Sequence, residues 1–524
     1  LFFSFKKKVI LNFKFFDEDM NFDEKINILW VDDEIELLKP HIIFLEKRGY
    51  KIVTANNGLA GLDLIKKQHF DLVFLDENMP GLGGLEVLIK IKNVKFNLPI
   101  VMITKNEEES IMEEAIGSKI SDYLIKPVNP NQILLCIKKH IDKEKLVSKK
   151  TTLSYQQEFR KISLELSGNL NRIQWEDIFK KLVFWEMELE SSGDSNMKQI
   201  LEMQKSEANA QFSKFIKKEY KDWLYGKGDS PVMSHTLFKD SIYPQIDKGK
   251  TNFLILIDNL RFDQWKILEP ELLSQFRVQN ENLYFSILPT ATQYSRNAIF
   301  SGLMPSEMEK IFPKLWKNDN DDGGRNMYEK EFFEAQLKRL GIIDLKISYN
   351  KITNIDSGRK LSENMQNLMH NDLNIIVYNF VDMLSHSRTD MQVIKELAED
   401  DSAYRSLTAS WFEHSPLRDI FHFISEKKSK VFITTDHGTI LVKKPIKVLG
   451  DKEITNNLRY KQGKNMRYDS KDVYEINNPR DIFLPNINLS SKYIFALEDS
   501  FFAYPNNYNY FVNHYKDTFQ HGGI

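Results

Sequence analysis

Residues 71–84 read DLVFLDENMPGLGG, an apolar run closed by Asp76 and followed by a turn rich in proline and glycine. A short apolar run bounded by turn residues is the pattern of a strand covered on both faces. Working outward, INILWV (26–31), KIVTA (51–55), PIVMIT (99–104) and DYLIKP (122–127) repeat it, with helical patterns between them. This alternation predicts five parallel strands in a doubly wound, flavodoxin-like α/β domain. Its site is expected at the carboxyl ends of the strands.

That edge gathers chemistry. Asp32 and Asp33 follow the first strand, Asp76 closes the third, Thr104 ends the fourth and Lys126 closes the fifth. Carboxylates so close repel one another unless a divalent cation joins them, and hard oxygen ligands suit Mg²⁺. Asp76 can then attack a phosphoryl donor, and Lys126 and Thr104 can hold the transferred oxygens. Any one of these residues alone reads as a loop carboxylate or a surface lysine; the five in order do not. The set resembles the receiver domain of two-component response regulators. The resemblance implies that Asp76 is the phosphoacceptor and that Asp32, Asp33, Asp76 and the carbonyl of Asn78 surround Mg²⁺. It also implies that Thr104, Tyr123 and Lys126 form the switch, and that a sensor histidine kinase is a partner.

The whole chain has 524 residues, too many for one core, and the prior is three or four domains. Lys and Arg number 72 against 74 Asp and Glu, a formal charge of −2, which argues against a chain-wide surface for nucleic acid or anionic lipid. Apolar residues at 42% and charged residues at 28% describe a globular chain, not a disordered one. One cysteine, Cys136, excludes a disulfide framework and cysteine-rich metal clusters, so metals are expected on His, Asp, Glu or hydroxyl oxygen. No apolar run reaches the ~18 residues of a membrane span. Residues 1–19 are expected to be an upstream extension, with Met20 the start, and the ending HGGI is expected to be trimmed.

From Lys143 the texture turns helical. EFRKISLELSGNLNRIQWEDIFKKLVFWEMELE and MKQILEMQKSEANAQFSKFIKKEYKDWLYG, separated by SSGD, read as an all-α bundle whose Trp and Phe residues form its core. After GKGDSP the β/α alternation returns, with NFLILID (252–258), NIIVYNF (374–380) and KVFITTD (430–436) as buried parallel strands and inserted stretches at 305–340 and 388–428. The expected division is a receiver at 20–145, a helical bundle connector at 146–235 and a large α/β domain at 236–524.

In this last domain Asp258 ends one strand, and Asp436 and His437 end another. Asp382 and His386, four residues apart on one face of a helical turn, follow the third, and His521 stands in FQHGG near the end. Mixed Asp and His ligation favours Zn²⁺ or Mn²⁺ over Ca²⁺. The segment PTATQYSRNAIFSGLMP (289–305) predicts a helix with Thr292 in its first turn. There the positive end of the dipole favours phosphate and alkoxide, and a nucleophile's pKa falls further beside a metal. A threonine at a helix start is also an ordinary cap. Arg296 and Asn297 read either as contacts to non-bridging oxygens or as helix-surface residues.

The order Asp, Thr, Asp-x-x-x-His, Asp-His-Gly, His resembles the alkaline phosphatase superfamily, and PTATQYSRN with FQHGG looks like its PglZ-type subgroup. The resemblance implies one metal on Asp382, His386 and His521, and another on Asp258, Asp436 and His437 with Thr292 facing it as nucleophile. Receiver, bundle and PglZ-type domain in this order resemble the PorX-like response regulators. That resemblance implies control of type IX secretion, dimerisation on phosphorylation, and secretion components or a sigma factor as partners. Two readings follow: a phosphorylation-controlled, zinc-dependent phosphodiesterase acting on nucleotides or oligonucleotides, or a non-catalytic regulator that docks partners through a metal-bound domain. Direct DNA binding is not expected, since no helix-turn-helix follows residue 143 and no basic stripe appears. The expected location is the cytoplasm, or the inner membrane's periphery through a partner.

Overall fold

The five apolar runs become five parallel strands: β1 (Asn27–Val31), β2 (Lys51–Ala55), β3 (Leu72–Asp76), β4 (Ile100–Thr104) and β5 (Asp122–Ile125), in the order β2-β1-β3-β4-β5. The computed structural model describes residues 26–95, 98–105, 120–140, 143–319, 321–384, 400–451, 454–486 and 490–524. The segment 1–19 and His386 lie outside them. Within 1–150, the first of two compact units, helices α1 (Lys39–Glu46), α2 (Gly58–Lys67), α3 (Gly84–Val94) and α4 (Pro130–His140) cover the sheet. Strands β3 and β4 are buried along their whole length, as central strands between two helical layers must be. Helix α2 is started by Asn57, whose Oδ1 accepts the N–H of Ala60 at 2.9 Å, a cap worth about 1 kcal/mol. Gly84, at the head of α3, packs on the carbonyl of Asp76, and a Cβ there would collide with the main chain beside the phosphoacceptor.

The second unit spans 151–524. It contains the connector helices α5 (Lys143–Leu166, from residue 151 onward), α6 (Arg172–Ser192) and α7 (Ser195–Leu224). SGNL and SGD supply their breaks. Asn171 and Gln174 form a reciprocal capping box on α6, Gly193 closes it in the left-handed conformation, and Asp194 caps α7. Tyr155, Ile162, Trp175, Ile178, Leu182, Leu189 and Leu201 make the bundle core. Not every aromatic joins it: Phe184 is exposed, because nine residues after Trp175 on the same helix put it on the opposite side. Phe179 is also exposed in part and meets Phe262 at 5.8 Å.

The large domain is built on β6 (Asn252–Ile257), β7 (Ile347–Ile352), β8 (Leu373–Tyr378) and β9 (Lys430–Thr434), parallel in the order β7-β8-β6-β9. Ile257 pairs with Tyr378 and Leu256 with Thr434, so residues following β6, β8 and β9 emerge at one edge. Helices α8 (Phe262–Leu273), α9 (Thr292–Ser301), α10 (Glu329–Arg339) and α11 (Asp401–Glu413) flank this sheet. An antiparallel pairing of β10 (Ile440–Val442) with β11 (Thr518–Gln520) brings the end of the described chain back beside the segment that follows β9. None of the described helices is long and apolar enough to cross a membrane.

Candidate functional site

In the receiver, ligand atoms of Asp32, Asp33 and Asp76 lie within 4.8 Å of one another. The topology accounts for this: β1 and β3 are neighbours and end level with each other. Lys126, from the end of β5, donates to Asp32 Oδ2 at 2.9 Å and pairs with Asp76 Oδ1 at 2.8 Å. Burial raises the Asp76 carboxyl to about 6, assisted by the charges of Asp32 and Asp33 and opposed by Lys126. Burial would discharge Lys126, but its hydrogen bonds to Asp76 and Asp32 win and hold it above the ordinary lysine range. Thr104 Oγ1 donates to Glu77, a partner the spacing did not suggest. Asn78 is exposed in the loop after β3, and Tyr123 on β5 is 39% exposed. A cavity of about 430 Å³, lined by Asp32, Glu34, His41, Lys105 and Lys126 among others, opens on this edge.

In the large domain, Asp258, Asp436 and His437 bring ligand atoms within 4.8 Å. All three are buried. Thr292 stands at the first position of α9, after Ala291, and its side chain does not cap the helix. Its Oγ1 lies instead 3.0 Å from His437 Nε2. His437 Nδ1 is 3.3 Å from the carbonyl of Gly438, which fixes the ring with its Nε2 toward Thr292. His521 stacks on His437 with ring centroids 4.4 Å apart. Its position is set by main chain: Gly522 N–H donates to Thr290 Oγ1 at 3.0 Å, and Thr290 Oγ1 donates to the Gly523 carbonyl at 3.1 Å. Asp382 lies in the first turn after β8, 3.4 Å from Asn259 Nδ2.

Arg296 is not on a helix surface. It is fully buried, its Nη2 bonds Asp258, and its Nε donates to Asp436 Oδ2 at 2.9 Å. Its Nη1 reaches Glu329 Oε1 at 3.4 Å and Asn379 Oδ1 at 3.2 Å. Asn297 is buried too, and its amide donates to the Arg325 carbonyl at 3.1 Å and accepts from Asn326. Burial raises Asp258 well above the carboxylate range, opposed by Arg296 and reinforced by Asp436 and Asp382. For Asp436 burial pulls the same way, but Arg296 and His437 outweigh it and keep the group ionised. Sequence reasoning missed Asn259, which adopts φ +62° and donates its N–H to Asp436 Oδ1 at 3.2 Å, and Glu329, which accepts from Lys351 at 2.7 Å and Tyr349 at 2.6 Å. An asparagine straight after a strand-ending aspartate signalled the first; nothing in the local sequence signalled the second.

The donor chemistry fits a divalent cation. Asp258 Oδ1 is buried without a hydrogen-bond partner and lies 3.8 Å from His437 Nε2, so a carboxylate oxygen and an imidazole nitrogen converge at one buried point.

A parallel sheet with carboxylates and imidazoles at its carboxyl edge, facing a hydroxyl at a helix start, defines an alkaline-phosphatase-like domain; the N-terminal sheet defines a CheY-like receiver. Comparison with family models agrees. The BREX system PglZ alkaline phosphatase-like domain matches residues 237–524, the PorX response regulator linker domain 145–224 and the response regulator receiver domain 28–138. With more than half its length matched, the chain belongs to the PglZ family, in the arrangement of a PorX-like response regulator.

Curated relatives share a smaller part. The transcriptional regulatory protein ZraR of Klebsiella oxytoca is 34% identical over 114 residues, 22% of this chain and 26% of that protein. ResD of Bacillus subtilis is 33% identical over 119 residues, 23% of this chain and 49% of that protein. The chain thus spans about a quarter to a half of the length of these relatives. The solved structure of the response regulator TrrA from Thermotoga maritima, in complex with Mg²⁺–BeF, is 31% identical and covers 22% of this chain and 100% of that one, with a TM-score of 0.22.

Proposed function

We propose that a sensor histidine kinase phosphorylates this regulator on Asp76, with Mg²⁺ held by Asp32, Asp33, Asp76 and Asn78, and that its PglZ domain is a zinc-dependent phosphodiesterase serving type IX secretion from the cytoplasm. The observation that carries the catalytic half is the Thr292 hydroxyl 3.0 Å from His437 Nε2, beside the Asp258–Asp436 pair and at the start of a helix. Asp258, Asp436 and His437 would hold one cation and Asp382 and His521, with His386, a second. Such cations supply Lewis-acid stabilisation of a phosphoester and favour a deprotonated hydroxyl.

The chain's own residues do the rest. The first turn of α9 presents its free N–H groups toward the anion. Thr292 Oγ1 passes its proton to solvent and attacks phosphorus in line, and the leaving oxygen takes a proton from solvent as it departs. As that bond forms, the bond to the leaving oxygen breaks, and water later releases the phosphoryl group from Thr292. Arg296 holds the two carboxylates in place and is too deeply enclosed to meet substrate. Nucleotides and oligonucleotides are the substrate class proposed, because phosphate recognition is local and does not depend on net charge.

A second reading is a non-catalytic regulator that docks secretion components or a sigma factor. Arg296 favours it, since a guanidinium already neutralises Asp258 and Asp436. Metal analysis with a phosphodiester substrate panel, on wild type and Thr292→Ala, separates the two. Catalysis predicts bound zinc in both proteins and turnover only in the wild type; equal turnover, or none in either with metal bound, removes the catalytic scheme. A shift to dimer on phosphorylation, seen as a change in elution volume, is also expected.

A further inference from the structure

The edge of the receiver sheet opposite Asp76 carries a second donor cluster. Asp122 opens β5, while Cys136 and His140, four residues apart, lie one turn from each other on α4. Cys136 Sγ is 3.8 Å and His140 Nε2 is 3.0 Å from the same oxygen, Asp122 Oδ2. The three donor atoms all lie within 4.8 Å of one another. Tetrahedral zinc, with bonds of about 2.0 Å to nitrogen or oxygen and 2.3 Å to sulfur, sets one sulfur and two nitrogen or oxygen ligands roughly 3.3–3.5 Å apart. The cluster is therefore near that spacing already, on two rigid elements and with three different donor types. Lys139 Nζ also donates to this oxygen, Asp122 Oδ2, at 2.8 Å, and a cation bound there takes its place.

We propose that Asp122 Oδ2, Cys136 Sγ and His140 Nε2 bind one borderline-soft divalent cation of the Zn²⁺ class, with a fourth position open to water. On binding, the cation takes the place of the thiol proton, which passes to solvent; His140 enters as the neutral imidazole and no electron is transferred. A thiol beside a carboxylate resists ionisation: burial, with the charge of Asp122, pushes Cys136 up to about 12. A cation at the same point reverses that repulsion. His140 is the last residue of α4, so the cation would tie the final turn of that helix to β5. Composition assigned metals to Asp, His and hydroxyl groups; here the single thiol joins them.

The chain's one cysteine makes the test selective. Full-length protein stripped with chelator is titrated with Co²⁺ alone and followed for the thiolate-to-cobalt charge-transfer band in the near ultraviolet. The expected result is a band that saturates at the intensity of one thiolate-bound Co²⁺ per chain, whatever the other metal sites take up, disappears in Cys136→Ser, and needs at least about tenfold more Co²⁺ in His140→Ala or Asp122→Asn. The C-terminal site, which lacks cysteine, cannot produce it. No band in the wild type overturns the proposal, as does a band with unchanged affinity in both His140→Ala and Asp122→Asn. Should a variant fail to fold, the wild-type titration decides alone.

Discussion

Both functional edges of this protein solve one electrostatic problem with different cations. In the receiver, Asp32 and Asp76 share Lys126, whose side chain is 13% exposed. In the PglZ domain, Asp258 and Asp436 share Arg296, whose side chain is 0% exposed. A lysine is a flexible point charge that can let go of a carboxylate and take a phosphoryl oxygen; a buried, forked guanidinium is a fixed brace. The comparison teaches that the receiver is built to change state at its carboxylates, and the second site to keep its carboxylates in one arrangement.

The largest expected effects break the chemistry on each side. Asp76→Ala is expected to abolish acyl phosphate formation with a small phosphodonor, read by phosphate-affinity electrophoresis, while leaving the basal hydrolysis of a phosphodiester, measured without phosphodonor, intact. Thr292→Ala is expected to do the reverse, lowering kcat by at least about 10³-fold while acyl phosphate still forms. Should either variant disable both activities in folded protein, the division of labour is wrong.

Next comes the brace itself. Arg296→Met leaves Asp258 and Asp436 without their guanidinium and is expected to cost about 3–5 kcal/mol, the usual result of removing one partner from a buried ion pair. Lys126→Ala, at a site that opens on a cavity and is less deeply buried, is expected to cost less. Denaturant titrations of both variants would contradict the comparison if the order were inverted. Added Zn²⁺ is expected to return part of the loss in Arg296→Met, since a bound cation replaces the missing charge.

The smallest effect concerns a third buried cation. Lys461 has no carboxylate partner among the described residues; it donates to the Thr455 carbonyl at 2.9 Å and to Tyr504 Oη at 3.1 Å, and burial brings it down to about 7. Its folded value lies below its unfolded one, so the unfolded chain binds the extra proton between about pH 7 and 10.5, and stability rises with pH across that window. Lys461→Met is expected to remove that slope and to raise the thermal midpoint near pH 7 by a few degrees. A slope that persists in the variant assigns it to another group.

Much of the receiver was legible in the sequence. Five apolar runs of four to six residues and the placement of Asp32, Asp33, Asp76, Thr104 and Lys126 just after them follow from local pattern alone, because parallel strands end together. The strand-end residues of the second sheet were legible for the same reason. Arg296 was not. A helix-borne arginine one turn after Thr292 looks the same in sequence whether it faces solvent or a carboxylate pair, and the carboxylates that bury it lie 38 residues before and 140 after. The aromatic residues of the connector divide in the same way: periodicity identified the helices, but only packing decided that Trp175 is core and Phe184 is not.

Sequence by itself determined which elements form, where each stops, and which donors stand at their ends, since these are properties of local pattern, turn chemistry and strand direction. Tertiary structure alone decided how the charges are shared. Whether Asp258 meets a guanidinium, whether Thr292 caps its helix or faces His437, and whether Cys136 shares an oxygen with His140 depend on distances between segments far apart in the chain. Electrostatic energy follows those distances and the burial around them, and neither is written in any single stretch of residues.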